Sequence, residues 1–501
     1  MTRISCPVLA TKVTSAEHAA SFIHDGDNVA MSGFTGAGYP KSVPTALAHR
    51  IRAAHDRGER FSIGLLTGAS TGAEVDGVLA EAEGIHLRTP FQSDPVLRRQ
   101  INDGTVDYID THLSHLAQQV WFGFYGTMNV AVVEVAAILP NGLLVPSSSV
   151  GNNKTWLDLA DKVIIEVNSW QPRAYEGFHD VYYGTRRPPF RTPVQITAAT
   201  QRIGDPYLKV DPAKVVAVVE THAPDRDNVF SPVDEASKAM ADHILDFLRF
   251  EVNAGRLPEN LLPLQSGVGN VANAVLAGLE ESEFEHLTAY TEVIQDEMLR
   301  LLESGRFDAI SATSLSLSRE MAEYFNANIE AFKGRILFRT QEMSNHPEIV
   351  RRLGVIAING MVEADIYGHV NSTNVLGSQM INGIGGSGDF ARNAYLNFFV
   401  SPSVAKKGAI SAIVPMASHV DHTEHDVHVL VTEQGIADLR GMAPVKRARK
   451  IIENCAHPDY RDRLLDYLER AQAQANGRLH MPHLLDEALS WHSAFAKTGR
   501  M

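Results

Sequence analysis

Short apolar runs alternate along this chain with longer segments of helical period, the order of elements that builds α/β layers. The run Asn28-Val29-Ala30-Met31-Ser32-Gly33 predicts a strand that closes on a glycine turn. A helix over 44–54 follows, with Pro44 early, where its missing N–H costs least. Residues 162–167 and 215–219 predict further strands. Their apolar residues run on without alternating, as in a sheet covered on both faces. The composition then changes. Pro224, Asp225, Arg226, Asp227, Asn228 and Pro232 make 221–234 polar and rich in breakers, which reads as a linker. An amphipathic helix over 236–250 comes next.

The second half repeats the first in kind. Residues 261–265 lead into Gly267 and Gly269 and then a helix over 270–279. A strand over 287–291 and a helix over 296–304 place Glu292 at the carboxyl end of a strand, where open α/β sheets bind ligands. The expectation is an α/β fold of two open-sheet domains, 1–224 and 225–501, with helices on both faces of each sheet. A length of 501 residues is comfortable for two domains.

Charge and composition narrow the function. Lys and Arg number 45 against 59 Asp and Glu, a net charge of −14, which argues against a general nucleic-acid binder. An anionic ligand held by local amides and one or two lysines stays open. The two cysteines, Cys6 and Cys455, make neither a metal knuckle nor a disulfide framework. The first thirty residues lack the apolar core of a secretory signal, and no run approaches bilayer length. A reduced, cytoplasmic setting with no membrane partner is therefore expected.

Three features bear on chemistry. On position alone Glu292 reads as a solvated glutamate near a helix start, mildly favoured by the helix dipole. A nucleophilic reading needs an apolar setting and a nearby oxyanion hole. The spacing of Gly383, Gly385, Gly386 and Gly388 invites a dinucleotide reading, but no Asp or Glu for the ribose occurs from 390 to 420. A tight turn and an amide-lined loop approaching an acyl or phosphate group are the alternatives. His419, His422, His425 and His428 recur every third residue among Asp421, Glu424 and Asp426, between strands expected over 409–416 and 427–432. A three-residue repeat across a hairpin does not converge four rings on one point, so no metal is expected. Serine chemistry from a nucleophile elbow is not expected.

Several long motifs occur together and in order: Ser32-Gly33-Phe34-Thr35-Gly36-Ala37-Gly38-Tyr39-Pro40-Lys41, Val150-Gly151-Asn152-Asn153-Lys154-Thr155-Trp156, Leu264-Gln265-Ser266-Gly267-Val268-Gly269-Asn270-Val271, the Glu292 and Gly383 segments, and Val431-Thr432-Glu433-Gln434-Gly435 with its continuation to Gly441. Through them the chain resembles, nearly end to end, the class I coenzyme A transferases of the acetyl-CoA hydrolase/transferase group.

The resemblance implies a site between two α/β domains, a homodimer, and transfer of coenzyme A from succinyl-CoA to acetate. It implies Glu292 as nucleophile, with the amides of Val268 and Gly386 forming the oxyanion hole. Asn345, Glu433 and Arg226 match residues that orient the glutamate or the carboxylate substrate. Gly267, Val268, Gly269, Asn270, Val271, Asn382, Gly386 and Lys406 match coenzyme A contacts. Ser70 matches a position facing the carboxylate. Coenzyme A and acyl-CoA enter as substrates, with no tightly bound cofactor. Hydrolysis of acetyl-CoA, and transfer to propionate or 4-hydroxybutyrate, share this chemistry. A non-catalytic acyl-CoA-binding protein is the alternative of another class.

Overall fold

A computed structural model describes residues 2–70, 72–229, 232–267 and 269–501. The fold is α/β, with parallel sheets flanked by helices. Two compact units emerge, and they are not consecutive halves. The first comprises Met1–Val229, Thr288–Glu303 and Phe307–Leu353, and the second Phe230–Leu287, Ser304–Arg306 and Gly354–Met501. Glu292 therefore packs with the N-terminal segment, not with the C-terminal one as a division at 224/225 would have it.

In the first unit seven parallel strands lie in the order Asp107–Tyr108, Ile85–Thr89, Ile63–Leu66, Asn28–Met31, Val130–Ile138, Lys162–Asn168 and Val215–Thr221. Val29 sits opposite both Leu65 and Val130. Val29, Met31, Ile63, Leu65, Val130 and Val132 share one core with Val43, Leu47, Ile51 and Ala54 of the helix Val43–Asp56. The intervening Ala30, Leu66, Ala131 and Val133 are fully buried too, which is why the strands read as unbroken apolar runs.

That helix begins without a side-chain cap of its own. Glu166, from the Lys162–Asn168 strand, caps it instead. Its carboxylate accepts from the N–H groups of Lys41 (2.8 Å), Ser42 (3.0 and 3.1 Å) and Val43 (2.7 Å). A negative charge on these free amides satisfies groups that no helical partner reaches. Burial pushes the Glu166 carboxyl up, and the three amides oppose that shift. The 33–41 turn is thus tied to the Lys162–Asn168 strand.

The first unit also holds the strand Leu287–Tyr290 from Thr288 on, followed in order by Phe307–Ala312, Ile336–Arg339 and His179–Asp180. The segment 221–234, expected as a linker, contains the change of unit after Val229, and its first half is packed into the first unit. Asp225 is buried, Arg226 N–H donates to Gly36 O (2.9 Å) and Asn228 N–H to Leu317 O (3.1 Å).

The second unit contains the strands Gly435–Asp438, Val429–Thr432, Leu396–Val400, Ile356–Gly360 and Leu264–Ser266. Only the Val429–Thr432 and Gly435–Asp438 pair is antiparallel. The strand expected over 409–416 is two short pieces, Ile410–Ser411 and Ile413–Val414. Ala412 between them donates to Ser403 O (2.9 Å) and accepts from Ala364 N–H (2.8 Å), so the run serves two neighbours. It forms no hairpin with Val429–Thr432, since Ile413–Val414 pairs with Glu363–Asp365. Among the described residues no helix is long and apolar enough to cross a membrane.

Candidate active site

Glu292 follows the strand Leu287–Tyr290 and precedes the short strand Val293–Ile294. Its backbone is held first. Thr291 N–H donates to Ser311 O (2.9 Å), and Glu292 O accepts from Thr313 N–H (2.8 Å) and Ser314 N–H (3.2 Å). Thr313 is fixed in turn by Val150 N–H on its carbonyl (2.9 Å) and Gly151 N–H on its hydroxyl (3.1 Å).

The side chain is held from the far side of the same circuit. Gly151 O accepts from Gln341 N–H (2.8 Å), and Gln341 Nε2 donates to Leu113 O (2.8 Å). Gln341 opens the one-turn helix Gln341–Ser344, which Asn345 closes. Asn345 is fully buried, and its Nδ2 donates to Glu292 Oε1 at 2.5 Å. Ser344 Oγ donates to Asn345 Oδ1 (2.7 Å), so the amide presents its N–H face to the carboxylate.

Glu292 is half-buried by surface area, yet Asn345 is its carboxylate's only hydrogen-bond donor among the described residues. Its neighbour Val293 belongs to an apolar cluster with Phe34, Ala69 and Leu113. Burial pushes the Glu292 carboxyl up to about 7, and the Asn345 bond offsets only part of this. The apolar setting that a nucleophilic reading requires is present.

Arg226 and Ser70 lie in the same unit. The Arg226 side chain runs past two glycines: a methyl group on Gly36 would come within 2.9 Å of its Cβ, and one on Gly72 would overlap its Nη1. Both glycines have positive φ, +85° and +80°, which a side chain would strain as well. Among the described residues the Arg226 guanidinium has no hydrogen-bond or ion-pair partner, so it is available to an anion. Ser70 is buried. Its hydroxyl donates to Asp76 Oδ2 (2.9 Å) and accepts from Gly72 N–H (3.2 Å), while Arg88 Nε holds Asp76 Oδ1 at 2.7 Å. The Ser70 proton is thus committed inside the protein.

The remaining expected residues lie in the second unit, apart from Val268, which lies outside the described residues. Gly267 N–H donates to Ile358 O (2.9 Å). Gly269, at φ +149°, caps the helix Asn270–Glu280, whose first turn holds Asn270 and Val271 and leaves amides free of helical partners. Gly386 caps the short helix Ser387–Ala391, and Asn382 Nδ2 donates to Gly383 O (3.2 Å). Lys406 is exposed, has a positive φ of 48°, and stands 5.0 Å from the centre of the Phe495 ring. Glu433 Oε2 accepts from Ser403 N–H (2.7 Å) and Oε1 from Gln434 Nε2 (3.0 Å). Burial alone would raise the Glu433 carboxyl, but these donors and the Ser403 hydroxyl hold it below its ordinary value.

The histidine repeat disperses. His419 Nε2 meets Asp421 (3.2 Å), His422 Nε2 meets Ser387 Oγ (3.2 Å), His425 is exposed, and His428 pairs with Asn397 through backbone and ring. No group of three or more His, Cys, Asp or Glu among the described residues is arranged to hold a metal ion.

Sequence reasoning passed over the side chains that hold the first-unit residues in place: Thr313, Gln341, Glu166, Lys41, Glu134 and Asp225. Two had a signal. Lys41 ends the glycine motif, and Asp225 precedes Arg226 in a stretch whose breakers suggested only a linker.

Comparison with known proteins agrees with the motif pattern. Models described as the acetyl-CoA hydrolase/transferase N-terminal and C-terminal domains match residues 9–220 and 322–468. The chain is 51% identical to a succinyl-CoA:acetate CoA-transferase of Clostridium kluyveri, over 98% of this chain and 90% of that protein. It is 46% identical to an acetyl-CoA hydrolase of Schizosaccharomyces pombe, over 99% of this chain and 98% of the other. Among solved structures, RipA from Yersinia pestis shares the fold with a TM-score of 0.70 at 22% identity, over 92% of this chain and 98% of that one.

Proposed function

Because the chain belongs to the acetyl-CoA hydrolase/transferase family, whose members act on CoA thioesters, we propose that it transfers coenzyme A from succinyl-CoA to acetate with Glu292 as the nucleophile. The observation that carries this reading is the Glu292 carboxylate, set in an apolar surround with a single donor among the described residues and a pKa raised to about 7. A carboxylate so weakly solvated is a better nucleophile than one in water.

In this mechanism a Glu292 oxygen attacks the succinyl thioester carbon, the C–S bond breaks, and coenzyme A leaves as thiolate. The product is a succinyl-glutamyl anhydride. The thiolate then attacks the glutamyl carbonyl, the C–O bond breaks, and succinate departs, leaving a glutamyl-CoA thioester. Acetate attacks that thioester and displaces the thiolate, which takes the acetyl group from the new anhydride. Acetyl-CoA forms and the Glu292 carboxylate returns. No net proton is consumed.

Each tetrahedral oxyanion is assigned to the amides of Val268 and Gly386, each worth about 3 kcal/mol by the cost of losing one such donor elsewhere. Asn345 orients Glu292. Arg226, whose guanidinium has no partner among the described residues, is assigned to the carboxylate substrate, with Ser70 and Glu433 supporting it. Gly267, Gly269, Asn270, Val271, Asn382 and Lys406 are assigned to coenzyme A. The reading includes a homodimer, a cytoplasmic setting and no tightly bound cofactor.

A hydrolase, with water in place of acetate, is the second reading, favoured by the 46% identity to the fission-yeast acetyl-CoA hydrolase. One assay separates the two. Succinyl-CoA is supplied with and without acetate, and acetyl-CoA and free coenzyme A are measured. Acetyl-CoA that forms only with acetate, with little free coenzyme A, supports transfer. Equal release of coenzyme A without acetate makes the protein a hydrolase. Peptide mass after succinyl-CoA alone should carry the adduct on Glu292, and an adduct on another residue would refute the nucleophile.

A further inference from the structure

Three charged side chains are buried together beside the 33–38 turn, and none belongs to the chemistry above. Lys41 Nζ pairs with Asp225 Oδ1 at 2.7 Å and Glu134 Oε2 at 3.0 Å, and its side chain is 4% exposed. It also donates to Tyr39 O (2.9 Å). Every other neighbour of the pair is a donor. Gly38 N–H reaches Asp225 Oδ1 (3.0 Å), and Ser148 Oγ (2.5 Å) and Gln171 Nε2 (2.9 Å) reach Oδ2. Asn168 Nδ2 (2.9 Å) and Gln171 Nε2 (3.2 Å) reach Glu134.

Burying such a cluster is poor value for stability alone, since desolvating the charges costs about as much as their attraction returns. What the cluster does hold is direction. Residues 222–229 form no helix or strand, so no ladder of backbone bonds sets their register. Isolated bonds set it instead: Asn168 holds Ala223, Asp227 accepts from Arg319 N–H, Asn228 donates to Leu317 O, and next to Arg226 the buried, charged hold is that of Asp225. On one side its carboxylate grips Lys41 and Gly38; on the other its own carbonyl accepts from Arg319 Nη2 (2.9 Å). The next residue, Arg226, donates its N–H to Gly36 O (2.9 Å). The backbone on both sides of that peptide bond is thereby fixed, and the Arg226 side chain is delivered between Gly36 and Gly72, beside the Ser70 segment. Closing breaks or shifts in the pair would leave one buried charge uncompensated and release this register.

We propose that Lys41 and Asp225 are positioning residues for Arg226: their buried pair fixes the guanidinium at the place where the carboxylate substrate is recognised. The proposal rests on the transferase reading for the substrate, but not for the geometry.

The test uses the full chain with Lys41→Met, the near-isosteric Asp225→Asn, and Arg226→Ala. Both pair variants should raise the KM for acetate about tenfold or more, the loss of one well-placed charged contact, while the KM for succinyl-CoA stays within about twofold. In the Arg226→Ala background, Lys41→Met should add less than about twofold to the acetate KM, because the two act as one unit. Equal rises in both KM values, or full additivity with Arg226→Ala, would overturn the proposal and leave the pair a stability element. A second measurement does not depend on turnover or on Lys41→Met folding. The rate at which phenylglyoxal labels Arg226, read by peptide mass, should change severalfold in Asp225→Asn. An unchanged rate overturns the proposal. A wild-type protein that transfers to no carboxylate overturns the transferase reading instead, and the labelling result still decides the positioning.

Discussion

Asn345 Nδ2 donates to Glu292 Oε1 at 2.5 Å, and Ser344 fixes the other end of the same amide at 2.7 Å. The pair sits on a closed hydrogen-bond circuit. It runs from the Glu292 carbonyl through Thr313, Gly151 and Gln341 to Asn345 and back to the Glu292 carboxylate. Backbone and side chain of the glutamate are therefore oriented by one connected set of groups, which limits the entropy lost on reaching a reactive geometry.

Replacing Glu292 with Gln should abolish transfer, by on the order of 10⁴-fold or more, as loss of a covalent nucleophile does elsewhere. The fold should survive. The Glu292 pKa is raised from 4.5 to about 7, so the folded state binds this proton more tightly than the unfolded state does. The group's contribution to stability is fully present below about 4.5 and is lost as pH rises through about 7. Thermal unfolding of the Gln variant and the wild type should thus diverge with rising pH, the variant gaining by up to about 3 kcal/mol at pH 8. Parallel curves from pH 5 to 8 would contradict the raised pKa.

In the proposed mechanism the attacking species is the ionised carboxylate. In the free enzyme, kcat/KM for the acyl-CoA should rise with pH through a single step near 7. A profile flat between pH 5.5 and 8.5 would exclude Glu292 as the titrating nucleophile.

Asn345→Ala removes the one donor to that carboxylate among the described residues. A hydrogen bond to a charged group is worth about 1.5–3 kcal/mol, so the acidic limb should move one to two pH units higher. Activity at pH 7 should fall by about five- to fiftyfold, with recovery at higher pH. A loss of the same size at every pH would mean that Asn345 acts by geometry alone.

Glu166→Ala strips three helix-start amides of their acceptor. It should cost about 3 kcal/mol of stability, since buried donors are left without partners. Amide exchange at Ser42 and Val43 should quicken before the rest of the sheet. Unchanged protection there would show that the capping is replaceable by water.

The strands Asn28–Met31, Lys162–Asn168 and Val215–Thr221 and the helices Val43–Asp56, Glu235–Asn253 and Asn270–Glu280 stand where the apolar pattern put them, to within a few residues. Such elements depend on local period and on turn residues, both of which are written along the chain. The run 409–416 failed the same test because its residues bond two neighbours, not one; the change of unit after Val229 does fall within 221–234, yet Asp225 in that stretch is buried by partners far away in sequence. Composition sees the polarity of that stretch and cannot see Lys41.

Glycine motifs in a fixed order, and a glutamate after a strand, were enough to point to the family and to its acyl chemistry, because those features need particular residue types at particular spacings. The setting of the Glu292 carboxylate was not legible in the same way. It arises from Asn345, 53 positions on, and from the burial that lifts its pKa to about 7. Lys41 and Asp225 meet across 184 positions. Period and spacing carry information over a few residues, whereas desolvation and charge pairing depend on which distant segments pack together; the elements were decided by the sequence, and the electrostatics of the site by the tertiary structure.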